Sequence, residues 1–140
     1  MEDDHEKCLL YLLIIGLLFS FVSCNNETPS VLDGDDNTHP YLNIDKDGSI
    51  YCIGKEVTEA EIPEYFNGIK VTSIKDYAFL ACKSLVSVKI PDSVKSIGGY
   101  AFFCCENLTE INIDRADATG MSLGTNWKPL AATVKWNGSL

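Results

Sequence analysis

Histidine is nearly absent from this chain of 140 residues, which holds only His5 and His39. Both lie outside the part whose pattern reads as folded. That leaves little material for imidazole-based catalysis or zinc ligation. Basic charge is scarce as well: eleven Lys and Arg face twenty Asp and Glu. A net charge of −9 is the wrong sign for a surface that must hold a phosphate backbone, so nucleic acid is not an expected partner. The six cysteines contain no C-x-x-C pair, and zinc-finger spacing is therefore missing too. The longest apolar run, residues 9–22 (LLYLLIIGLLFSFV), falls short of the roughly 20 residues that a membrane-spanning helix needs. What remains is an ordinary globular composition, 46% hydrophobic and 22% charged, and enough chain for one small domain.

That apolar run has no polar stripe at helical spacing, which argues against an amphipathic core helix. It suits the apolar region of a secretory signal over residues 1–23 and leads to a small residue before a cysteine, Ser23-Cys24. Phe21-Val22-Ser23-Cys24 resembles the lipobox of bacterial lipoproteins. The resemblance implies cleavage before Cys24 and a lipid on Cys24, making a membrane the first expected partner. Cleavage would remove four acids and one base, taking the charge from −9 to −6. Residues 24–40 then read as a flexible tether, with Val31 and Leu32 the sole aliphatics among Pro, Gly, Asn, Asp, Ser and Thr. As a coil they span about 20 to 25 Å, enough to lift a domain off a headgroup layer.

Internal repetition is the strongest signal in the sequence. Residues 71–93 (VTSIKDYAFLACKSLVSVKIPDS) lie over residues 94–116 (VKSIGGYAFFCCENLTEINIDRA) without a gap, at a period of 23. The shared places include Ile74/Ile97, Tyr77/Tyr100, Ala78/Ala101, Phe79/Phe102, Cys82/Cys105, Leu85/Leu108 and Ile90/Ile113. Within one copy the apolar spacing drifts from helical to alternating, so the copy must bend around its own interior. Leu85-x-x-Val88-x-Ile90 sets Val88 and Ile90 on one face of a short strand, with Lys89 pointing out. A single coil leaves both flat sides wet, so coils must stack.

These residues resemble the leucine-rich repeat, whose L-x-x-L-x-L stretch reads Leu85-x-x-Val88-x-Ile90 and Leu108-x-x-Ile111-x-Ile113. They are most similar to the BspA-like subfamily, through Ile90-Pro91-Asp92-Ser93-Val94-Lys95-Ser96-Ile97, Ala101-Phe102, Cys105 and Leu108. Ile62-Pro63 through Val71 fits the same frame with five extra residues. The implied fold is an α/β solenoid, mostly β, with two 23-residue repeats over 71–116. Residues 41–70 form an N-terminal cap and partial repeat, in which Tyr41–Ile44 and Ile50–Ile53 make a hairpin turning at Asp47-Gly48. Residues 117–140 form a C-terminal cap, with 114–125 loop-like, 132–136 a last strand, and Trp127 or Trp136 over the open end of the core.

Chemical motifs are few. Gly120-Met121-Ser122-Leu123-Gly124 matches the G-x-S-x-G nucleophile elbow, but no histidine follows Ser122, and a glycine-rich loop is the preferred reading. Asn43, Asp45 and Asp47 imitate the opening of a calcium loop, yet the twelfth place is Gly54 rather than Glu, so a tight turn is preferred over a weak metal site. Cys82 and Cys105 hold equivalent apolar places and read as small buried hydrophobes. No cofactor is expected.

The outward side of the stacked strands carries Val86, Ser87, Lys89, Thr109, Glu110 and Asn112, with Lys83 beside Glu106. A curved solenoid sheet is the first choice for a binding face. The lipobox and repeat resemblances together imply a non-catalytic, exported lipoprotein at the outer membrane or cell surface, adhering to host or matrix protein or to another envelope protein. The alternative is a shortened structural relative with no ligand of its own.

Overall fold

The computed structural model describes residues 10, 13, 39–54 and 56–138. The chain divides into two units, Met1–Asp35 and Asp36–Leu140. In the first, Leu10 and Leu13 have helical backbone. The rest of the expected leader, Cys24, and the tether as far as residue 38 lie outside the described residues. Among the described residues no helix is long and apolar enough to cross a membrane.

The second unit is a β-solenoid of about four windings. Its strands are β1 (Leu42–Ile44), β2 (Ser49–Cys52), β3 (Glu59–Glu61), β4 (Tyr65–Phe66), β5 (Ile69–Lys70), β6 (Ser73–Ile74), β7 (Ser87–Ile90), β8 (Ser96–Ile97), β9 (Glu110–Ile113), β10 (Ser122–Leu123) and β11 (Thr133–Trp136). One sheet runs β1-β2-β6-β8-β10, a second β11-β9-β7-β3, and β4-β5 is a separate hairpin. Apart from the β1-β2 and β4-β5 hairpins, neighbouring strands pair in parallel, as successive turns of a coil must.

Register shows how the windings superpose. Ser49, Ser73, Ser96 and Ser122 form one ladder, and Ile50, Ile74, Ile97 and Leu123 the next. In the second sheet Ala60, Val88, Ile111 and Val134 align. The flanks therefore do more than cap: β2 with β3, and β10 with β11, add a winding on each side of the two repeats. The expected N-terminal hairpin is β1-β2, closed by Asp45 and Gly48. The expected last strand is β11. The five extra residues after Ile62 are the β4-β5 hairpin, whose Asn67 and Gly68 both take left-handed φ (51° and 74°), the pair that a two-residue turn between twisted strands needs. One expectation is revised: the stretch 114–125 is not all loop, because β10 within it extends the first sheet.

Between the sheets the chain makes tight turns where a helix could have formed. Tyr77 and Ala81 in one repeat, and Tyr100 and Cys104 in the next, have left-handed φ near 57°, which interrupts helical winding in both copies at the same places. The amides of Tyr77, Phe79 and Ala81 instead donate to the carbonyls of Gly99, Ala101 and Phe103 in the following winding. This third ladder draws Phe79 onto Phe102. Their rings stack at 4.9 Å and 19°, and neither is exposed to solvent. Trp127 meets Phe102 edge-on at 6.4 Å, and Trp127 and Trp136 both pack, half-buried, against the core, as expected for the C-terminal end. Val88 and Ile90 are buried and Lys89 exposed, as the alternation requires.

Candidate functional site

The outward face of the second sheet gathers the residues that the sequence singles out. Strands β3, β7, β9 and β11 place Glu59, Ser87, Glu110 and Thr133 in one row and Glu61, Lys89, Asn112 and Lys135 in another. The intervening row packs inward, with Ala60, Val88 and Ile111 buried and Val134 half-buried, so the outward rows stand on an apolar base. Val86 and Thr109 precede β7 and β9, and the Thr109 hydroxyl donates to the Val86 carbonyl at 3.4 Å. Val86 is 44% exposed, an aliphatic rim on a polar surface.

Charges on this face neutralise one another. Lys89 Nζ lies 3.2 Å from Glu61 and 3.8 Å from Asp114. Lys135 pairs with Glu110, which also accepts from the Asn112 amide at 2.7 Å. Asn137 donates to Asn112 at 3.3 Å. The Glu61 hydrogen bond and the Asp114 charge push Lys89 above its usual range, and the Lys135 hydrogen bond, helped by Asn112, holds Glu110 below the usual carboxylate range. Lys83 and Glu106 are 3.4 Å apart one winding from each other, as their spacing implied. Glu59, Glu61, Thr133 and Lys135 complete the face and were missed in the sequence. Lys135 was findable, since it lies one period of 23 after Asn112. Glu61 precedes Lys89 by 28, the hairpin having shifted the count.

The other candidates sit elsewhere. Asp45 Oδ1 accepts the amides of Asp47 and Ser49 at 3.0 and 3.1 Å, and its Oδ2 holds Lys75 Nζ at 2.6 Å. Asn43 Oδ1 accepts the amide of Ile44. Each oxygen so committed serves the turn, and a cation would first have to displace Lys75. Ser122 is exposed on β10, one edge of the first sheet, while His39 lies just before β1 at the other edge. Among the described residues no histidine is brought to the Ser122 hydroxyl. An open polar cleft of about 350 Å³ is lined by Asp92, Asp114, Asp117 and Arg115. Its Arg115 is already engaged by Asp92 at 3.2 Å and by the carbonyls of Val94 and Thr119.

The arrangement can offer a small, rigid polar surface and no assembled reaction centre among the described residues. No curated protein matches the chain. The crystal structure of a T. pallidum leucine-rich repeat protein is similar at 21% identity and a TM-score of 0.45, over 66% of this chain. The match spans 59% of that protein's length. The family model described as "BspA type Leucine rich repeat region (6 copies)" matches residues 50–122, just over half of the sequence. With its windings stacked in parallel register, this chain belongs to the BspA-type leucine-rich repeat family.

Proposed function

We propose that this chain is a non-catalytic binding module, exported and held by a lipid on Cys24 at the outer membrane or cell surface, that contacts a host, matrix or envelope protein. The observation that carries the reading is the pair of in-register polar rows across β3, β7, β9 and β11, built on a buried apolar layer. Repeats of this kind serve protein contact, and a stacked parallel sheet holds such a face rigid. The lipobox-like Phe21-Val22-Ser23-Cys24 supports the anchor.

Size limits the affinity. Four strands at about 4.8 Å spacing and four residues of about 3.3 Å give a patch of roughly 250 Å². That is about a third of the roughly 800 Å² per partner of a standard interface. Contact must extend onto the adjoining turns at Val86, Thr109 and Lys83, or gain strength from many anchored copies.

The test uses full-length protein on cells and immobilised matrix extract. Lys89→Glu and Asn112→Arg are expected to lower adhesion about tenfold while leaving thermal stability nearly unchanged, because exposed ion pairs contribute little. Cys24→Ala is expected to abolish incorporation of labelled palmitate. Adhesion that disappears on deletion of the chain yet survives both face substitutions refutes this binding face. A second reading, a structural envelope protein without its own ligand, is favoured by the mutual neutralisation of Lys89, Glu61, Glu110 and Lys135. Unchanged adhesion on deletion, with an empty pull-down, selects it. Catalysis by Ser122 stands third; Ser122→Ala is expected to remove no esterase activity.

A further inference from the structure

Cys52 ends β2 and Cys82 follows the first repeated turn, yet their sulfurs lie 4.0 Å apart. We propose that this pair is an oxidation site that closes as a disulfide, tying the N-terminal hairpin to the first full repeat. The Cys52 backbone is already tied to the first repeat, since its amide donates to the Ala78 carbonyl at 2.9 Å. A disulfide requires about 2.05 Å between sulfurs, so side-chain rotation must close a gap of about 2 Å. The Cys52 thiol gives up its hydrogen bond to the Gly54 carbonyl in doing so.

Access sets the order of events. Cys52 is half-buried, whereas Cys82 is 2% exposed. A disulfide oxidant such as glutathione disulfide therefore reaches Cys52 first. The Cys52 thiolate attacks one glutathione sulfur, forming a mixed disulfide and releasing one glutathione thiolate. The Cys82 thiolate then attacks the Cys52 sulfur and releases the second. Two protons leave the cysteines, and two electrons end on the two glutathione thiols. The adjacent Cys82 thiol and burial push the Cys52 thiol above its usual range, so the first step is slow at neutral pH and accelerates as pH rises. Cys105 takes the place of Cys82 one repeat later but behaves differently: it is fully buried, and its thiol donates to the Phe79 carbonyl at 3.0 Å. An exported chain meets disulfide oxidants of this class, although the chemistry does not depend on the export reading.

The test treats the full chain with glutathione disulfide at pH 8.5, then denatures, alkylates and digests it with trypsin. Cleavage after Lys46, Lys55, Lys75, Lys83, Lys95 and Arg115 places Cys52 in peptide 47–55, Cys82 in 76–83, and Cys104 with Cys105 in 96–115. The expected product is 47–55 joined to 76–83, lost on reduction, with a melting temperature about 10 °C above that of similarly treated Cys52→Ser. The cross-link should form several-fold faster at pH 8.5 than at pH 7. Recovery of both peptides fully alkylated from oxidised, folded protein overturns the proposal. So does a Cys82 peptide joined to 96–115.

Discussion

Phe79 and Phe102 provide the sharpest test of the stacked windings. Their rings overlap at 4.9 Å within a fully buried core. Truncating either to Ala costs about 3–5 kcal/mol, a large part of the 5–15 kcal/mol that holds a domain together. Leucine is the better probe because it keeps most of the volume and costs about 1–2 kcal/mol. Stacked aromatic pairs contribute about 0.5–1.5 kcal/mol beyond the area they bury. A double-mutant cycle on Phe79→Leu and Phe102→Leu should therefore show a coupling of that size in urea unfolding.

A second cycle supplies the control. Trp127 touches Phe102 at 6.4 Å, with Phe102 lying between it and Phe79. Phe79 and Trp127 meet only through their shared neighbour Phe102, so Phe79→Leu and Trp127→Leu should couple more weakly than the first pair, by no more than about 0.5 kcal/mol. Unfolding free energies from four proteins per cycle, with unchanged denaturant slopes, give both numbers. Additivity in the first cycle would mean that successive windings do not meet ring on ring, and the register argument would fail with it.

Three further outcomes follow from particular sites. Gly124→Ala should destabilise by more than about 2 kcal/mol, since a Cβ there would sit 2.3 Å from the Gly99 amide nitrogen, whereas Gly120→Ala meets nothing within 4 Å and incurs only the left-handed strain of about 1 kcal/mol; thermal melts of the two variants compare them. Ser93→Ala should stabilise by about 1 kcal/mol in the same assay, because the buried Ser93 hydroxyl has no hydrogen-bond partner among the described residues and Ala116 already occupies the equivalent place one repeat on. Asp45 is held below the usual carboxylate range, chiefly by Lys75. Its contribution is thus complete above the unfolded pKa near 4 and lost as pH falls through the lower folded value, so urea titrations should show a shallower acid limb for Asp45→Asn than for wild type.

How much of this was legible in the sequence depends on whether side chains or hydrogen bonds define the element. The 23-residue match exposes β7 and β9 directly, since Val88, Ile90, Ile111 and Ile113 alternate with polar residues. Asp47-Gly48 between two alternating runs is similarly enough for the first hairpin. The outer windings escape notice for a different reason. Glu59-Ala60-Glu61 buries a single methyl group, and Ser122-Leu123 is two residues long, so neither carries a period of its own. Register with the neighbouring winding makes them strands, and sequence spacing obscures that register. Glu59 precedes Ser87 by 28 and Ser96 precedes Ser122 by 26, although Thr133 returns to 23 after Glu110. The outward face was consequently half visible: its two central strands were named, and the outer charges Glu59, Glu61 and Lys135 were not.

The same shift between local pattern and stacked register explains why the G-x-S-x-G stretch resembles a catalytic motif. Each of its three fixed residues has a place in the winding. Gly120 takes a φ of 74° at a turn where most side chains are strained. Ser122 continues the serine ladder begun at Ser49, two members of which share a hydrogen bond of 2.6 Å. Gly124 lies against the Gly98 and Gly99 backbone, just as Gly98 lies against Asp76, at separations that leave no room for a Cβ. A nucleophile elbow would need the serine held on a strained turn with a base beside it. Here the strain is at Gly120, the serine is in a regular strand, and the spacing follows from the pitch of the coil.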